Sequence, residues 1–74
     1  MISIYGKQGC GACEQAKQLC GMKGIEYEYL MLGTDYQLKT IIDIGGGKHK
    51  TFPMITKDGE YVGGLNDLKE LLSQ

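Results

Sequence analysis

The amino-acid sequence predicts a small α/β fold with four strands and three helices in the order β-α-β-α-β-β-α. Two patterns support this prediction. Segments that alternate apolar and polar residues are typical of strands, and they are interleaved with segments whose apolar residues recur every three or four positions, as in helices. The first three elements form a βαβ unit, whose strands should be parallel and joined by a right-handed crossover. Because 74 residues allow one hydrophobic core, we expect a single domain over residues 1–74.

The first half of the chain predicts a strand, a helix and a second strand. The first strand is expected over residues 2–6. The helix is expected over residues 11–23 and ends before Gly24. Residues 25–29 alternate apolar and acidic side chains, as in a half-buried strand that can continue to Leu32. The helix is predicted because four of its small or apolar residues share one face: Ala12, Ala16, Leu19 and Cys20.

A second helix is predicted over residues 35–44, where Thr34 or Asp35 can cap the first turn. Three glycines at positions 45–47 end this helix and make the connection after it the loosest in the chain. Its apolar face should turn three residues inward: Leu38, Ile41 and Ile42.

The last three elements are predicted to be a β-hairpin and a helix. Two short strands are expected over residues 54–56 and 60–62, and Asp58-Gly59 between them is a strong hairpin signal. The final helix follows two glycines and places four leucines on one face: Leu65, Leu68, Leu71 and Leu72.

Composition and charge exclude several classes of protein. A net charge of −1 argues against nucleic acid as a main partner, because phosphate binding needs an excess of Lys and Arg. No apolar run approaches the roughly 20 residues that a membrane span needs, and the first residues lack the basic-then-apolar pattern of a signal peptide. Three cysteines, an odd number, do not suit a secreted disulfide scaffold. We therefore expect a cytoplasmic protein without a membrane partner, in which any disulfide is transient.

Two cysteines between the first strand and the first helix form a CxxC motif, Cys10-Gly11-Ala12-Cys13. Such a pair can close a disulfide reversibly within one helical turn. Cys10 faces the N-terminus of the helix, where unpaired backbone N–H groups stabilise a thiolate, so we expect it to be the attacking nucleophile. Cys13 lies one turn deeper and is expected to resolve the mixed disulfide.

A metal site is the main alternative for these cysteines, because CxxC is also half of a zinc site. Only Cys20 and His49 remain as further Cys or His ligands, so redox chemistry is favoured and no bound metal is expected. Cys20 follows Cys13 by seven helical residues, about 10 Å along the axis, which is too far for a disulfide. Cys20 is therefore expected to be a small buried hydrophobe.

Two single residues near the motifs leave their roles open. Lys7 precedes Cys10 by three residues, where it would either stabilise the thiolate and bind a carboxylate or be a solvated surface lysine. Pro53 is the only proline, and composition alone favours a trans peptide bond before it.

The tract at residues 45–50 is rich in glycine and basic residues. Lys48 and Lys50 would either attract an acidic partner or a small negatively charged ligand, or belong to a solvated loop, and the loop is favoured. His49 has no evident partner.

Three motifs together resemble the signatures of glutaredoxins, in the same order and at similar spacing. They are Tyr5-Gly6-Lys7-x-x-Cys10-x-x-Cys13, Thr51-Phe52-Pro53 and Gly63-Gly64-Leu65-Asn66-Asp67-Leu68. The resemblance covers nearly the whole chain. It implies a thioredoxin-like fold, with a four-stranded mixed sheet flanked by three helices, and a cis peptide bond before Pro53.

The resemblance also implies a groove for glutathione beside Cys10. The lysine that precedes the motif would hold the glycine carboxylate of glutathione, together with polar residues of the second helix. The backbone of Phe52 would pair with the cysteinyl part, and the start of the last helix would receive the γ-glutamyl end. The implied glutathione contacts are Lys7, Gln37, Lys39, Thr51, Phe52, Pro53, Gly64, Asn66 and Asp67. Asn66 and Asp67 would also serve as helix caps.

The chain departs from the family inside the CxxC motif, where Gly11-Ala12 replaces the common Pro-Tyr. Gly11 has more conformational freedom than a proline, whose backbone angle is preset. The missing aromatic ring removes a contact near the active sulfur and opens the site. Both changes can alter the redox potential, in a direction that the sequence does not give.

The resemblance implies a glutathione-dependent thiol–disulfide oxidoreductase, a monomer without a tightly bound cofactor, whose co-substrate is glutathione. It would reduce protein disulfides or glutathionylated thiols, and ribonucleotide reductase is one candidate substrate. A first alternative is the short redoxin that takes electrons from thioredoxin reductase, although such proteins typically lack the signature kept here at Gly63, Gly64 and Asp67. A second is a non-enzymatic iron–sulfur cluster carrier, for which Gly11 and Ala12 leave room.

Overall fold

The computed structural model, which describes residues 1–49 and 51–73, contains one four-stranded sheet. The strands are β1 (Ile2–Gly6), β2 (Tyr27–Met31), β3 (Met54–Lys57) and β4 (Glu60–Gly63), and their spatial order is β2-β1-β3-β4. β1 is parallel to β2 and antiparallel to β3, and β3 is antiparallel to β4. The mixed sheet is therefore as predicted.

Three helices cover the two faces of this sheet: α1 (Gly11–Met22), α2 (Leu38–Gly45) and α3 (Leu65–Leu72). Alternate residues of a strand point to opposite faces, so neighbouring residues of β3 belong to different cores. Ile55 packs with α1 and α3, and Met54 packs with α2. In the part of the chain that the structure describes, none of the helices has the length and apolar character needed to cross a membrane.

The second strand begins at Tyr27, two residues later than the sequence predicts. The backbone N–H of Ile25 donates a hydrogen bond to the carbonyl of Cys20 at 3.0 Å. Ile25 therefore closes the C-terminal end of α1, and the chain enters the sheet only after this turn.

The second helix begins at Leu38, so the predicted start and cap at residues 34–35 are wrong. The Asp35 carboxylate instead accepts a hydrogen bond from the backbone N–H of Met31 at 2.8 Å, which holds a turn before the helix. With this later start only Ile41 is buried against the sheet. Leu38 and Ile42, predicted to face inward, are 54% and 50% exposed.

The hairpin between β3 and β4 has the predicted two-residue turn. Asp58 and Gly59 have φ angles of 51° and 85°. Positive φ at both central residues is the backbone geometry that matches the right-handed twist of paired strands. Because β3 is antiparallel to both β1 and β4, these two strands end at the same edge of the sheet. The start of α3, which follows β4, therefore lies at the same edge as the CxxC motif, which follows β1.

Candidate active site

The disulfide between Cys10 and Cys13 lies at the N-terminus of α1, after the loop that follows β1. The two Cα atoms are 5.3 Å apart. Cys10 is the N-cap residue, and its Sγ accepts a hydrogen bond from the backbone N–H of Cys13 at 3.2 Å. Cys13 is fully buried, whereas Cys10 is partly exposed. The two sulfurs thus differ in depth in the sense that the sequence predicts.

The two residues inside the motif leave open space. Gly11 is exposed, and apart from the adjoining backbone a Cβ at this position would have no heavy atom of the described residues within 4 Å. Ala12 is half-buried and lines a cleft next to the disulfide.

This cleft has a volume of about 570 Å³ and extends from Ala12 to the first turn of α3. Five residues implied as glutathione contacts line it: Thr51, Phe52, Gly64, Asn66 and Asp67. Four residues outside the set of implied contacts also line it: Lys48, His49, Tyr61 and Leu65.

The remaining four implied contacts lie outside the cleft lining. Pro53 is buried behind it and follows a cis peptide bond, as the resemblance implies and composition alone does not. Lys7 is exposed, with its Nζ 5.1 Å from the centroid of the Phe52 ring, so it contacts a residue of the cleft. Gln37 is the N-cap of α2, and Lys39 is exposed in the first turn of that helix.

The start of α3 is built around the carboxylate of Asp67. It accepts a hydrogen bond from the backbone N–H of Gly64 at 3.0 Å, which is the predicted capping role. Gly63 has a φ of 141°, and a Cβ there would lie 2.9 Å from the Cβ of Asp67 and closer still to its carboxyl group. The side chain of Asn66 makes no hydrogen bond with the described residues and remains free at the edge of the cleft.

A pair of ring side chains, His49 and Tyr61, also lines the cleft. Nδ1 of His49 and the Tyr61 hydroxyl share a hydrogen bond of 2.8 Å, and the rings meet edge to face with centroids 5.6 Å apart. His49 also packs against α2, since a Cβ at Gly45 would lie 2.9 Å from its Cβ. The expectation that His49 has no partner is therefore wrong.

No sequence signal connects His49 with Tyr61, because their contact depends on how α2 and β4 pack. The neighbouring Lys48 also lines the cleft, although a plain solvated loop was favoured. Lys50 lies outside the described residues.

The third cysteine, Cys20, is a free, fully buried thiol on α1, in the hydrophobic core between this helix, α3 and the sheet. Burial raises the pKa of the Cys20 thiol, which keeps it protonated and unreactive. In the part of the chain that the structure covers, no group of three or more His, Cys, Asp or Glu residues is placed to hold a metal ion.

We expect Cys20 to resist alkylation in the reduced native protein, while Cys10 is modified rapidly. The physical reason is that the thiolate, which is the reacting species, is disfavoured by burial at Cys20. Iodoacetamide labelling followed by peptide mass spectrometry measures this difference. The denatured protein, in which all three cysteines should react, is the control, and native labelling of Cys20 at the rate of Cys10 would contradict the expectation.

Comparison with known proteins identifies the family. Residues 2–62 match the family model described as Glutaredoxin. Glutaredoxin 3 of Escherichia coli strain K12 is 32% identical over 71 residues, which cover 95% of this chain and 83% of that protein. The chain belongs to the glutaredoxin family. Glutaredoxins are thiol–disulfide oxidoreductases, and the Cys10–Cys13 pair fits the redox-active site of such an enzyme.

This glutaredoxin is also similar to part of a larger protein and to a solved structure. The hybrid peroxiredoxin hyPrx5 of Haemophilus influenzae is 36% identical over 69 residues, which cover 93% of this chain but only 28% of that protein. The crystal structure of a buckwheat glutaredoxin–glutathione complex superposes with a TM-score of 0.79 at 22% identity and covers 97% of this chain and 67% of the buckwheat chain. At this identity the likeness establishes the fold, and the thioredoxin-like architecture is confirmed.

Proposed function

We propose that this glutaredoxin uses glutathione to reduce protein disulfides or glutathionylated thiols, as a cytoplasmic monomer. The observation that carries the proposal is the cleft of about 570 Å³ that begins at Ala12, inside the CxxC motif, and ends at the first turn of α3. A peptide whose sulfur is bonded to Cys10 can extend along this cleft without entering the core.

The reaction follows from the different depths of the two sulfurs. The partly exposed Cys10 thiolate attacks one sulfur of the substrate disulfide, and the other substrate sulfur leaves as a thiolate that takes a proton from water. Cys13 then attacks Sγ of Cys10, which forms the Cys10–Cys13 disulfide and releases the remaining substrate thiol. Two glutathione molecules return the pair to the dithiol and become glutathione disulfide.

Charges around the cleft suit the ends of glutathione. The first turn of α3 carries unpaired backbone N–H groups and the positive end of the helix dipole, which favour the γ-glutamyl carboxylate. The Asp67 carboxylate, already bonded to Gly64, keeps acceptor capacity for the γ-glutamyl ammonium group. At the other end Lys7, held near the Phe52 ring, can pair with the glycine carboxylate. A glutaredoxin of the same fold, from buckwheat, forms a glutathione complex, which supports the proposal.

We expect Asn66→Ala to raise the KM for glutathione about fivefold or more without lowering the melting temperature. Asn66 lines the cleft but makes no structural hydrogen bond with the described residues, so its loss removes a ligand contact worth about 1 kcal/mol and little else. Steady-state kinetics at varied glutathione, with thermal denaturation on the same samples, measures both quantities. Glu70→Ala, exposed on the same helix and outside the cleft lining, is the matched control. An unchanged KM in the Asn66 variant would argue against glutathione at this end of the cleft.

The electron donor separates this proposal from the redoxin alternative. The oxidised protein is supplied either with glutathione and glutathione reductase or with thioredoxin reductase, and NADPH consumption is followed in both. We expect turnover with glutathione. Turnover with thioredoxin reductase alone would replace the proposal by the redoxin mechanism.

A further inference from the structure

The hydroxyl of Tyr29 lies against Gly6, on the side of Gly6 that also faces the side chain of Cys13. Tyr29 is on β2, opposite Ile4 of β1, and its ring reaches along the α1 face of the sheet to the end of β1. A Cβ added to Gly6 would lie 2.7 Å from Cζ of Tyr29 and 3.2 Å from Cβ of Cys13. The phenol head group thus fills the space that a side chain at position 6 would occupy, next to the deeper cysteine of the motif.

The Tyr29 hydroxyl differs from the other tyrosine hydroxyl near Gly6, because it bonds none of the residues that the structure describes. On the opposite face of the sheet, Tyr36 donates its hydrogen to the carbonyl oxygen of Gly6 at 2.7 Å in a buried hydrogen bond. The Tyr29 side chain is half-buried, and its hydroxyl is not among the buried polar atoms that lack a partner, so it keeps access to solvent while bonding none of the described residues. Its proton is retained at neutral pH, because burial and the nearby Glu14 carboxylate raise the pKa of Tyr29.

Cys13 needs a hydrogen-bond donor at one stage of the reaction. Its side chain is fully buried, and a buried anion without a donor carries a large desolvation cost. Cys13 is a thiolate in both directions of the dithiol cycle. It attacks as a thiolate when it displaces the substrate sulfur from Cys10. It leaves as a thiolate when an external thiol attacks Cys10 and the bond between the two cysteines breaks, with its electron pair passing to Cys13.

We propose that Tyr29 donates a hydrogen bond to Sγ of Cys13 when this sulfur is a thiolate, and so accelerates both resolution and reopening of the disulfide. In the disulfide, Cys13 carries no charge, so the hydrogen bond is expected only after this bond opens. The inference rests on the two-cysteine part of the proposed function, but it does not depend on which thiol is the reductant.

The test compares Tyr29→Phe, which removes only the hydroxyl, with Tyr27→Phe on the same strand and the same face. The first measurement is the rate at which 2-mercaptoethanol opens the Cys10–Cys13 disulfide, followed by stopped flow. We expect Tyr29→Phe to slow this step about tenfold, the effect of one hydrogen bond to a charged group, and Tyr27→Phe to leave it unchanged.

The second measurement repeats both substitutions in a Cys13→Ser background, with a glutathionylated peptide as substrate. This reaction needs only Cys10, so Tyr29→Phe should have no effect on it. An equal loss in both assays would mean that Tyr29 only supports the fold, and no loss in either would also overturn the proposal. A wild-type protein that is opened by 2-mercaptoethanol but inactive with glutathione would contradict the proposed function and leave the Tyr29 inference intact.

A third measurement needs no variant and covers the case in which Tyr29→Phe does not fold. The carbon-NMR signal of Tyr29 Cζ should shift when the disulfide is reduced and should follow the ionisation of Cys13 with pH. The Tyr27 signal is the internal control. A Tyr29 signal that is the same in the oxidised and reduced proteins at every pH would contradict the hydrogen bond.

Discussion

Replacing Cys10 by serine is expected to abolish turnover with every disulfide substrate. A serine hydroxyl stays protonated at the helix N-terminus and does not attack sulfur, whereas a thiolate there is stabilised by the N–H groups of the first turn. Cys10 is also the motif cysteine that solvent reaches, so Cys13, which is fully buried, cannot replace it. We expect a loss of at least about a thousandfold in a glutathione-coupled disulfide assay, the scale seen when a covalent nucleophile is removed.

Two further cysteine variants make this result specific. Cys13→Ser should retain reduction of glutathionylated thiols, which a single thiol can perform, and lose reduction of protein disulfides, which needs the resolving sulfur. Cys20→Ala should keep both activities, because Cys20 is a free thiol in the core of α1. A Cys10→Ser protein with full activity would show that the CxxC pair is not the reacting site.

Substituting Gly63 by alanine is expected to cause the largest loss of stability among single changes near the cleft. Gly63 has a φ of 141°, a conformation that costs an L-residue roughly 1–3 kcal/mol. The new Cβ would also collide with the side chain of Asp67, which must move and give up its hydrogen bond to Gly64. We expect the melting temperature to fall by about 4–8 °C per kcal/mol for a domain of this size, and the KM for glutathione to rise.

Gly64→Ala is the matched control for stability. A Cβ at Gly64 would meet the carbonyl oxygen of Pro53 at 3.7 Å, an ordinary van der Waals distance, and its φ of −102° is accessible to alanine. The loss should stay below about 1 kcal/mol, the usual cost of alanine at a helix N-cap. Equal losses in the two variants, measured by circular dichroism during heating, would contradict the role given to Gly63.

Hydrophobic periodicity was sufficient to predict which helices and strands this chain forms. The limits of one helix were wrong because a side chain expected to cap it stabilises a neighbouring turn instead. In β1 and α1 the apolar pattern and the glycine at the helix end agree, and the predicted limits are nearly exact. Asp35 was predicted to cap α2, but an aspartate carboxylate can stabilise a turn as well as a helix N-terminus. Here it accepts a hydrogen bond from the backbone N–H of Met31 in the turn before the helix. Of the three residues predicted to face inward, only Ile41 is buried, and Leu38 and Ile42 are exposed.

The site was predictable where the chemistry is local and unpredictable where it depends on packing. Cys10 and Cys13 lie one helical turn apart, and Asp67 caps its own helix, so spacing alone predicts both arrangements. The contact of His49 with Tyr61 joins a loop to a strand of the hairpin, and neither residue carries a local signal for it. The position of Tyr29 beside Cys13 likewise depends on the register of β2 against β1.

The empty surroundings of Gly11 make the motif of this protein adjustable. Apart from the adjoining backbone, no atom of the described residues lies within 4 Å of the place where a side chain would begin, so natural variation or design can exchange this residue without repacking the core. Gly11 is also the first residue of α1, a position at which proline is common in helices. The tendency of the sulfur pair to hold or release electrons can therefore change in related chains while the scaffold around it stays the same.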